Sequence, residues 1–394
     1  MSQKKRLGEI ALLQRGLTYN KGDEVPTSSK IVLRSNNIDL DSHSLDLSEL
    51  KYLREDFVIP EDRKVKKDSI FICMSNGSKQ HVGKVAFIDR DMDYAFGGFM
   101  GLIVPKPSIS AKYVFYACNS SSYRTFLSQI GNGIGITNLR FSELEKFEIP
   151  VPSIEEQQRI VDELDLLTGI IDKKNAQLRD LDALAQSIFY EMFGDIEDYD
   201  KLTNQLGDVC SIVGRIGFRG YTRDDFVEGP EQGAISLSPA NIINGEMDYQ
   251  KCSYVTWAKY DESPEIMIKD NDILVVKTGS SYGKTALVKN LPHKATINPQ
   301  FVVLKDVSID KLYLTAYLST PFAKRKYEEF VIGTAIPTFS QKKLASMPLL
   351  IPSSDKQREF ADKIGLITTQ KEAIRRSITD AKRLLSSRMS HYFD

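Results

Sequence analysis

Four cysteines, Cys73, Cys118, Cys210 and Cys252, are scattered through this chain with no Cys-x-x-Cys spacing. That argues against both a zinc site and a disulfide framework. Four histidines, His43, His81, His293 and His391, form no ligand cluster. No apolar run approaches the roughly 20 residues that a membrane span needs. The stretch from Met1 to Gln14 starts basic, but its short apolar run is broken by Glu9, which makes a poor secretory leader. A reducing cytoplasm is the expected location. There is no bias of charge either: 52 Lys and Arg against 53 Asp and Glu give a net charge of −1. Any surface for nucleic acid must therefore be local.

What is present is repetition. The 394 residues, 41% apolar and 27% charged, are too many for one hydrophobic core and suggest two or more domains. Leu7-Gly8-Glu9-Ile10 returns as Leu206-Gly207-Asp208-Val209. Val65-Lys66-Lys67-Asp68-Ser69-Ile70-Phe71 returns as Ile268-Lys269-Asp270-Asn271-Asp272-Ile273-Leu274. Gly83-Lys84 returns as Gly283-Lys284, and Ile149-Pro150-Val151-Pro152-Ser153 as Leu349-Leu350-Ile351-Pro352-Ser353. Gln157 matches Gln357, and Phe193 matches Phe393. An ordered series of this kind marks a tandem duplication.

After each Pro-Ser the pattern turns helical. Gly and Pro nearly vanish, and one stripe recurs at steps of three and four. In the first copy it reads Ile160, Leu164, Leu167, Ile171, Lys174, Leu178, Leu181, Ala185, Ile188, Met192. In the second it reads Phe360, Ile364, Ile367, Lys371, Ile374, Ile378, Ala381, Leu385, Arg388, Tyr392. Five heptads of this kind are a coiled-coil seam. Ser153 with Glu155 and Glu156, and Ser354 with Asp355, supply caps and first-turn acids. Each helix would be roughly 57 Å long, and its nearest partner is the other copy. An antiparallel pair with level ends sets Lys174 opposite Glu372, and Lys371 opposite Asn175 and Asp172. The alternative is that both lysines reach out to water.

The remaining sequence reads as short β-rich runs between Gly/Asn/Ser turns: Ser69 to Met74, Val82 to Ile88, Phe99 to Val104, Asp272 to Lys277 and Thr285 to Val288. One helix is expected over Ala111–Gln129 and its match over Lys311–Phe330. The expected fold class is α+β: two similar β-rich globular domains separated by a long antiparallel two-helix coiled coil, related by a pseudo-two-fold. The expected boundaries are residues 1–152 for the first domain, 153–194 for the first spacer helix, 195–352 for a linker and the second domain, and 353–394 for the second spacer helix. Within these, Asp195–Thr203 is acidic and polar and reads as the linker.

A domain ending in Ile149-Pro150-Val151-Pro152-Ser153-Ile154-Glu155-Glu156-Gln157-Gln158-Arg159-Ile160-Val161, followed by a long helix and then repeated, resembles the specificity (S) subunit of type I restriction–modification enzymes. The block Gly131-Asn132-Gly133-Ile134-Gly135-Ile136-Thr137-Asn138-Leu139, with Gly333 to Phe339, looks like the loop before that junction. The second copy departs from the junction pattern, with Lys356 and Arg358 for Glu156 and Gln158. The resemblance spans nearly the whole chain. It implies two target recognition domains, each reading one half of a split sequence in double-stranded DNA, and no catalytic residue. It also implies helices that space the half-sites and recruit two modification (methyltransferase) subunits and then restriction subunits. S-adenosylmethionine, ATP and Mg are expected only in those partners. The partner-binding seam would comprise Ile160, Leu164, Leu167, Ile171, Lys174, Leu178, Leu181, Ile364, Ile367, Lys371, Ile374, Ile378 and Leu385. The rival reading is a coiled-coil scaffold that holds proteins and has no DNA specificity.

Candidate DNA contacts come from loops that differ between the copies. Arg34, Asn36 and Asn37, with Asn241 as their match, carry side chains able to bind guanine and adenine edges bidentately. Lys79, Gln80, His81 and Lys84, with Ser281, Tyr282 and Lys284, fall in a hairpin loop. Arg215, Arg219, Tyr221 and Arg223 cluster near the start of the second domain and suit phosphate. Asn138, Arg140, Thr338 and Lys342 lie in the loop before each junction. For every one of these the alternative is a solvated turn. Three near-motifs point elsewhere and fail. Gly279 to Thr285 is one residue short of a phosphate-binding loop, with no helical pattern after it. Asn298-Pro299-Gln300-Phe301 lacks the second proline of the adenine-methyltransferase motif, and no glycine-rich S-adenosylmethionine loop accompanies it. Glu49-Leu50-Lys51 offers a nuclease-like carboxylate–lysine pair that the second copy lacks.

Overall fold

The computed structural model describes residues 3–40, 42–130, 137–196, 202–215, 220–333 and 335–394. Two compact units emerge: residues 1–175 with 375–394, and residues 176–374. The division passes through the middle of both long helices, so each unit holds one globular domain and half of each helix.

In the first unit, an antiparallel sheet runs Ala11–Arg15, Met100–Pro105, Ser69–Cys73, Val85–Ile88 in spatial order. A second sheet runs Glu24–Val25, Lys51–Leu53, Lys30–Leu33, Tyr94–Phe96, with the last pair parallel. Ser69–Cys73 is buried at every position, as a strand covered on both faces must be. The second unit repeats the plan with one addition. The hairpin Ile242–Ile243 and Glu246–Met247 joins its larger sheet as two further strands, through Glu246 beside Leu287. Its counterpart in the first unit is a single bridge, Ile38 to Leu45. The duplicated turns are physical necessities. Gly83 and Gly283 both have φ of +81°, and a Cβ there would meet Leu127 at 2.3 Å and Tyr327 at 2.6 Å. Only glycine fits both demands.

The single helix expected over Ala111–Gln129 is two helices, Ala111–Ala117 and Ser121–Ile130, and its match is Lys311–Leu318 and Pro321–Phe330. Capping causes the break. Thr320 accepts a hydrogen bond from the Ala323 N–H, Ser120 accepts one from the Tyr123 N–H, and Pro321 suits a first helical position.

The long helices run Ile154–Phe193 and Ser354–Phe393, 40 residues each. Ser353, not Ser354, precedes the second, as Ser153 precedes the first. In each unit the start of one helix packs against the end of the other, so the pair is antiparallel. In the first unit Ile160 and Leu164 share a core with Phe393, against which Leu385 and Tyr392 pack. In the second, Phe360 shares a core with Phe189, with Ile364 and Met192 packed on it. The stripe residues Leu167, Ile171, Ile367, Lys371 and Ile378 are buried; Lys174, Leu178, Leu181, Ile374 and Leu385 are half-buried.

The register differs from the level-ended one. Lys371 reaches Asp182 at 2.7 Å, seven residues beyond the expected Asn175. The aromatic ends of the helices explain the slide. Phe193 packs on Tyr313 and Phe360, with ring centroids 4.9 and 5.4 Å away, so the first helix stops opposite Phe360 rather than opposite Ser354. Phe393 packs on Tyr113 in the same way at 5.1 Å.

The glutamine shared by both junctions has a structural task. Gln157 is buried; its Oε1 accepts the Ser110 N–H at 2.9 Å, and its Nε2 donates to the Pro152 carbonyl at 3.0 Å. Gln357 does the same with Asp310 and Pro352. Each glutamine thus welds the start of a long helix to the cap of a domain helix. Replacing Gln157 with leucine strands the Ser110 N–H, and a loss of about 1–3 kcal/mol is expected in urea denaturation.

Candidate nucleic-acid interface

Segments far apart in sequence meet at one end of the sheet that holds Ser69–Cys73 in the first unit, and of the sheet that holds Ile273–Val276 in the second. In the first, Asn76 Nδ2 donates to Ser35 Oγ at 2.8 Å, and its backbone N–H donates to the Thr137 carbonyl at 3.1 Å. Ser75 bridges to Asn138. The segments 34–37, 75–81 and 137–140 are thereby joined. They border two adjoining clefts of about 940 and 550 Å³. The larger is lined by Tyr19, Arg34, Asn36 and Lys51 among others, and the smaller by Arg15, Asn138 and Phe141. Both clefts share a ridge of Ser75, Asn76, Gly77, Gly98, Phe99 and Met100. Phe99 stands on that ridge 73% exposed.

In the second unit the corresponding segments are also stitched together. Thr278 and Thr338 share a hydroxyl hydrogen bond of 2.7 Å, and the Gly279 N–H donates to the Pro337 carbonyl at 2.9 Å. Gln300 Nε2 approaches the Thr278 carbonyl, and the Asn298 N–H donates to the Leu237 carbonyl at 2.9 Å. Asn298 also accepts the Gln300 N–H, so this turn is a structural element of the same loop end.

The candidate residues divide by what they touch. Asn36, Lys79, Gln80, Asn138, Arg140, Arg223, Lys284 and Lys342 are exposed. Arg34, His81, Tyr221, Ser281, Tyr282 and Thr338 are half-buried. Arg34 lies 3.4 Å from Glu49, and Lys51 lies 2.6 Å from Glu24, so the Glu49–Lys51 triplet is split between two separate ion pairs. Burial, followed by the charge of Lys84, lowers the pKa of His81. Arg215 is buried with its guanidinium 4.1 Å over the Tyr221 ring, and Tyr221 in turn donates to the Ile297 carbonyl. Arg219 lies outside the described residues.

Four candidates are corrected, the first being Arg215, buried against the Tyr221 ring rather than open to phosphate. Asn37 and Asn241 are buried, and their amides are spent inside the fold. Asn37 accepts the Arg34 N–H at 2.8 Å and donates to the Asp46 and Glu49 carbonyls. Asn241 does likewise with the Ser238 N–H and the Asp248 and Lys251 carbonyls. Their repetition reflects a shared loop scaffold rather than base contact. Lys84 is buried too, donating to the Ile38 carbonyl at 2.8 Å, and burial lowers its pKa. Its match Lys284 remains exposed. Phe99, Asn76 and Arg15 were missed in the sequence. The one signal was the Gly97-Gly98 pair before Phe99. Gly16 packs so closely on that turn that a Cβ would lie 2.0 Å from the Gly97 carbonyl oxygen.

Among the described residues no group of His, Cys, Asp and Glu is placed to hold a metal ion. Burial pushes the Cys73 thiol up to about 11 and the Cys118 thiol up to about 12, away from nucleophilic reactivity. No described helix is long and apolar enough to cross a membrane. Fold and site together define a duplicated binding module, in which a domain that gathers polar loops at a sheet end is followed by a long helix. The chain belongs to the type I restriction modification DNA specificity domain family, which it matches twice, over residues 2–180 and 201–379. Its role is accordingly target recognition in type I restriction–modification.

Relatives extend along almost the whole chain. The type I restriction enzyme EcoKI specificity subunit of Escherichia coli (strain K12) is 23% identical over 390 residues, 94% of this chain and 83% of the relative. The StySPI specificity subunit of Salmonella potsdam is 24% identical over 401 residues, with the same coverage. Among solved structures, the type I restriction–modification S subunit from M. genitalium superposes with a TM-score of 0.51 at 14% identity, covering 100% of this chain and 96% of that one. A structure of a type I R-M system, solved for complex assembly and conformational transition, gives 0.55 at 17% identity, covering 99% and 97%. These likenesses establish the fold.

Proposed function

We propose that this chain reads a split target in double-stranded DNA for a cytoplasmic type I restriction–modification complex and leaves the chemistry to partner subunits. Each globular domain takes one half-site. The observation that carries this reading is the convergence of three sequence-distant polar loops on one sheet end, duplicated and yet different in its side chains. Polar and aromatic groups around a cleft suit base edges, and two unlike sets suit an asymmetric target. The partners are two modification subunits, which would hold S-adenosylmethionine, and restriction subunits, which would hold ATP and magnesium. A band-shift with random duplex DNA, with and without the modification subunit, tests it. Enrichment of one split sequence is expected, whereas a protein scaffold would select none.

The count of two modification subunits draws support from the outer faces of the helices. The seam is consumed by the helices themselves, yet leucines stay exposed at matched positions. Leu166 and Leu366 are 65 and 70% exposed, and Leu184 and Leu384 are 47 and 50% exposed. Heptad geometry puts Leu166 and Leu384 of the first unit on one flank of the antiparallel pair, and Leu184 and Leu366 of the second likewise. A repeated apolar pair on an otherwise polar face suits two copies of one partner. With Leu184 and Leu366 both changed to glutamate, light scattering of the reconstituted complex is expected to show loss of one modification subunit. Retention of both would rule these leucines out as the docking face.

A further inference from the structure

Lys371 occupies a seam position where the first copy has Ile171. A lysine there must desolvate its ammonium, which costs stability unless partners surround it. Its side chain is only 10% exposed, and Nζ meets two carboxylates: Asp182 of the other long helix at 2.7 Å and Glu246 at 2.5 Å. Glu246 belongs to neither helix. It lies on the hairpin that joins the large sheet of the second domain, where the described residues of the first domain show only the single bridge Ile38 to Leu45. The replacement of isoleucine by lysine and the pairing of this hairpin into the sheet therefore occur in the same copy and meet at one atom. An apolar residue would fill the seam as Ile171 does. Only a cation also grips the domain.

We propose that Lys371 is a positioning residue for target specificity: through Glu246 it clamps the second recognition domain to the helix pair and so fixes the half-site gap that the complex accepts. This rests on the split-target reading above. Asp182 serves the seam arm of the lysine, and Glu246 serves the domain arm. The two arms should therefore separate experimentally.

The test uses the complex assembled with its modification subunits. Methyl transfer from S-adenosylmethionine is measured on duplexes carrying the target with its native gap, or with the gap changed by one base pair. Glu246→Gln is expected to narrow the rate ratio between native and altered gaps by about fivefold, an ordinary size for one coupled polar contact. Lys371→Met is expected to narrow it equally, Asp182→Asn to leave it unchanged, and Lys371→Arg to retain it by keeping both carboxylates paired. Glu246 lies on a hairpin at the sheet edge, so its variant reads the clamp even where a seam variant fails to fold. Equal effects of Glu246→Gln and Asp182→Asn, or an unchanged ratio in Glu246→Gln, would overturn the clamp. A wild-type complex that methylates without any gap preference would overturn the split-target reading, and the clamp with it.

Discussion

Truncating Phe189 to alanine is expected to destabilise the protein by about 3–5 kcal/mol, the range for removing a fully packed aromatic ring. Phe189 is 2% exposed near the end of the first long helix. Its ring lies 5.9 Å from Tyr313, 5.7 Å from Phe360 and 5.1 Å from Phe193. Tyr313 belongs to the second domain and Phe360 to the second long helix, so one side chain joins three elements. The hole left behind has stiff aromatic walls and little freedom to collapse, which sets the cost high in the range. A fall of about 10 °C in melting temperature should accompany it. The matching position in the second copy is Met389, which packs on the core of the first unit only as a partly buried partner. Met389→Ala should cost less, about 2–3 kcal/mol. Equal losses at both sites would mean that the aromatic cluster confers no special rigidity.

The second large effect concerns recognition. Phe99 and Asn138 line the same cleft, and both are exposed. The chain turn beneath Phe99 is held from below by Gly16, and Asn138 is held through its backbone by Ser75. Alanine at both positions therefore removes the proposed reading groups without disturbing their supports. Two lost base contacts at about 1–3 kcal/mol each give an expected drop of about 100-fold in affinity for the specific target. Affinity for random DNA, and its slope with salt, should hold, because no cation is removed. A parallel fall in both affinities would place Phe99 and Asn138 in general surface integrity rather than in reading.

The duplication, the heptad seams and the junctions were legible because they rest on periodicity and turn chemistry, which a sequence displays directly. The Gly83 and Gly283 turns need positive φ in both copies, so the residue type itself reports the backbone. The register was not legible, because level ends were assumed while the true stop is set by where Phe193 and Phe393 find Tyr313 and Tyr113. Asn37 and Asn241 show a deeper limit. An amide that caps its own loop and an amide that reads a base look alike in sequence, and only burial tells them apart. Phe99 shows the converse, since an exposed phenylalanine beside a strand reads as core until its surroundings are seen. Lys371 was recognised as an oddity of the seam, but its second partner arrives from a hairpin more than a hundred residues away, as Glu246 shows.

The most direct measurement is methylome sequencing of cells carrying this chain with its modification subunits, compared with cells carrying the Phe99→Ala, Asn138→Ala variant. The wild type is expected to mark one asymmetric, split, adenine-methylated motif. In the variant, one half of that motif should relax while the other half and the gap stay fixed. A continuous motif, or equal relaxation of both halves, would contradict the division of the target between two domains.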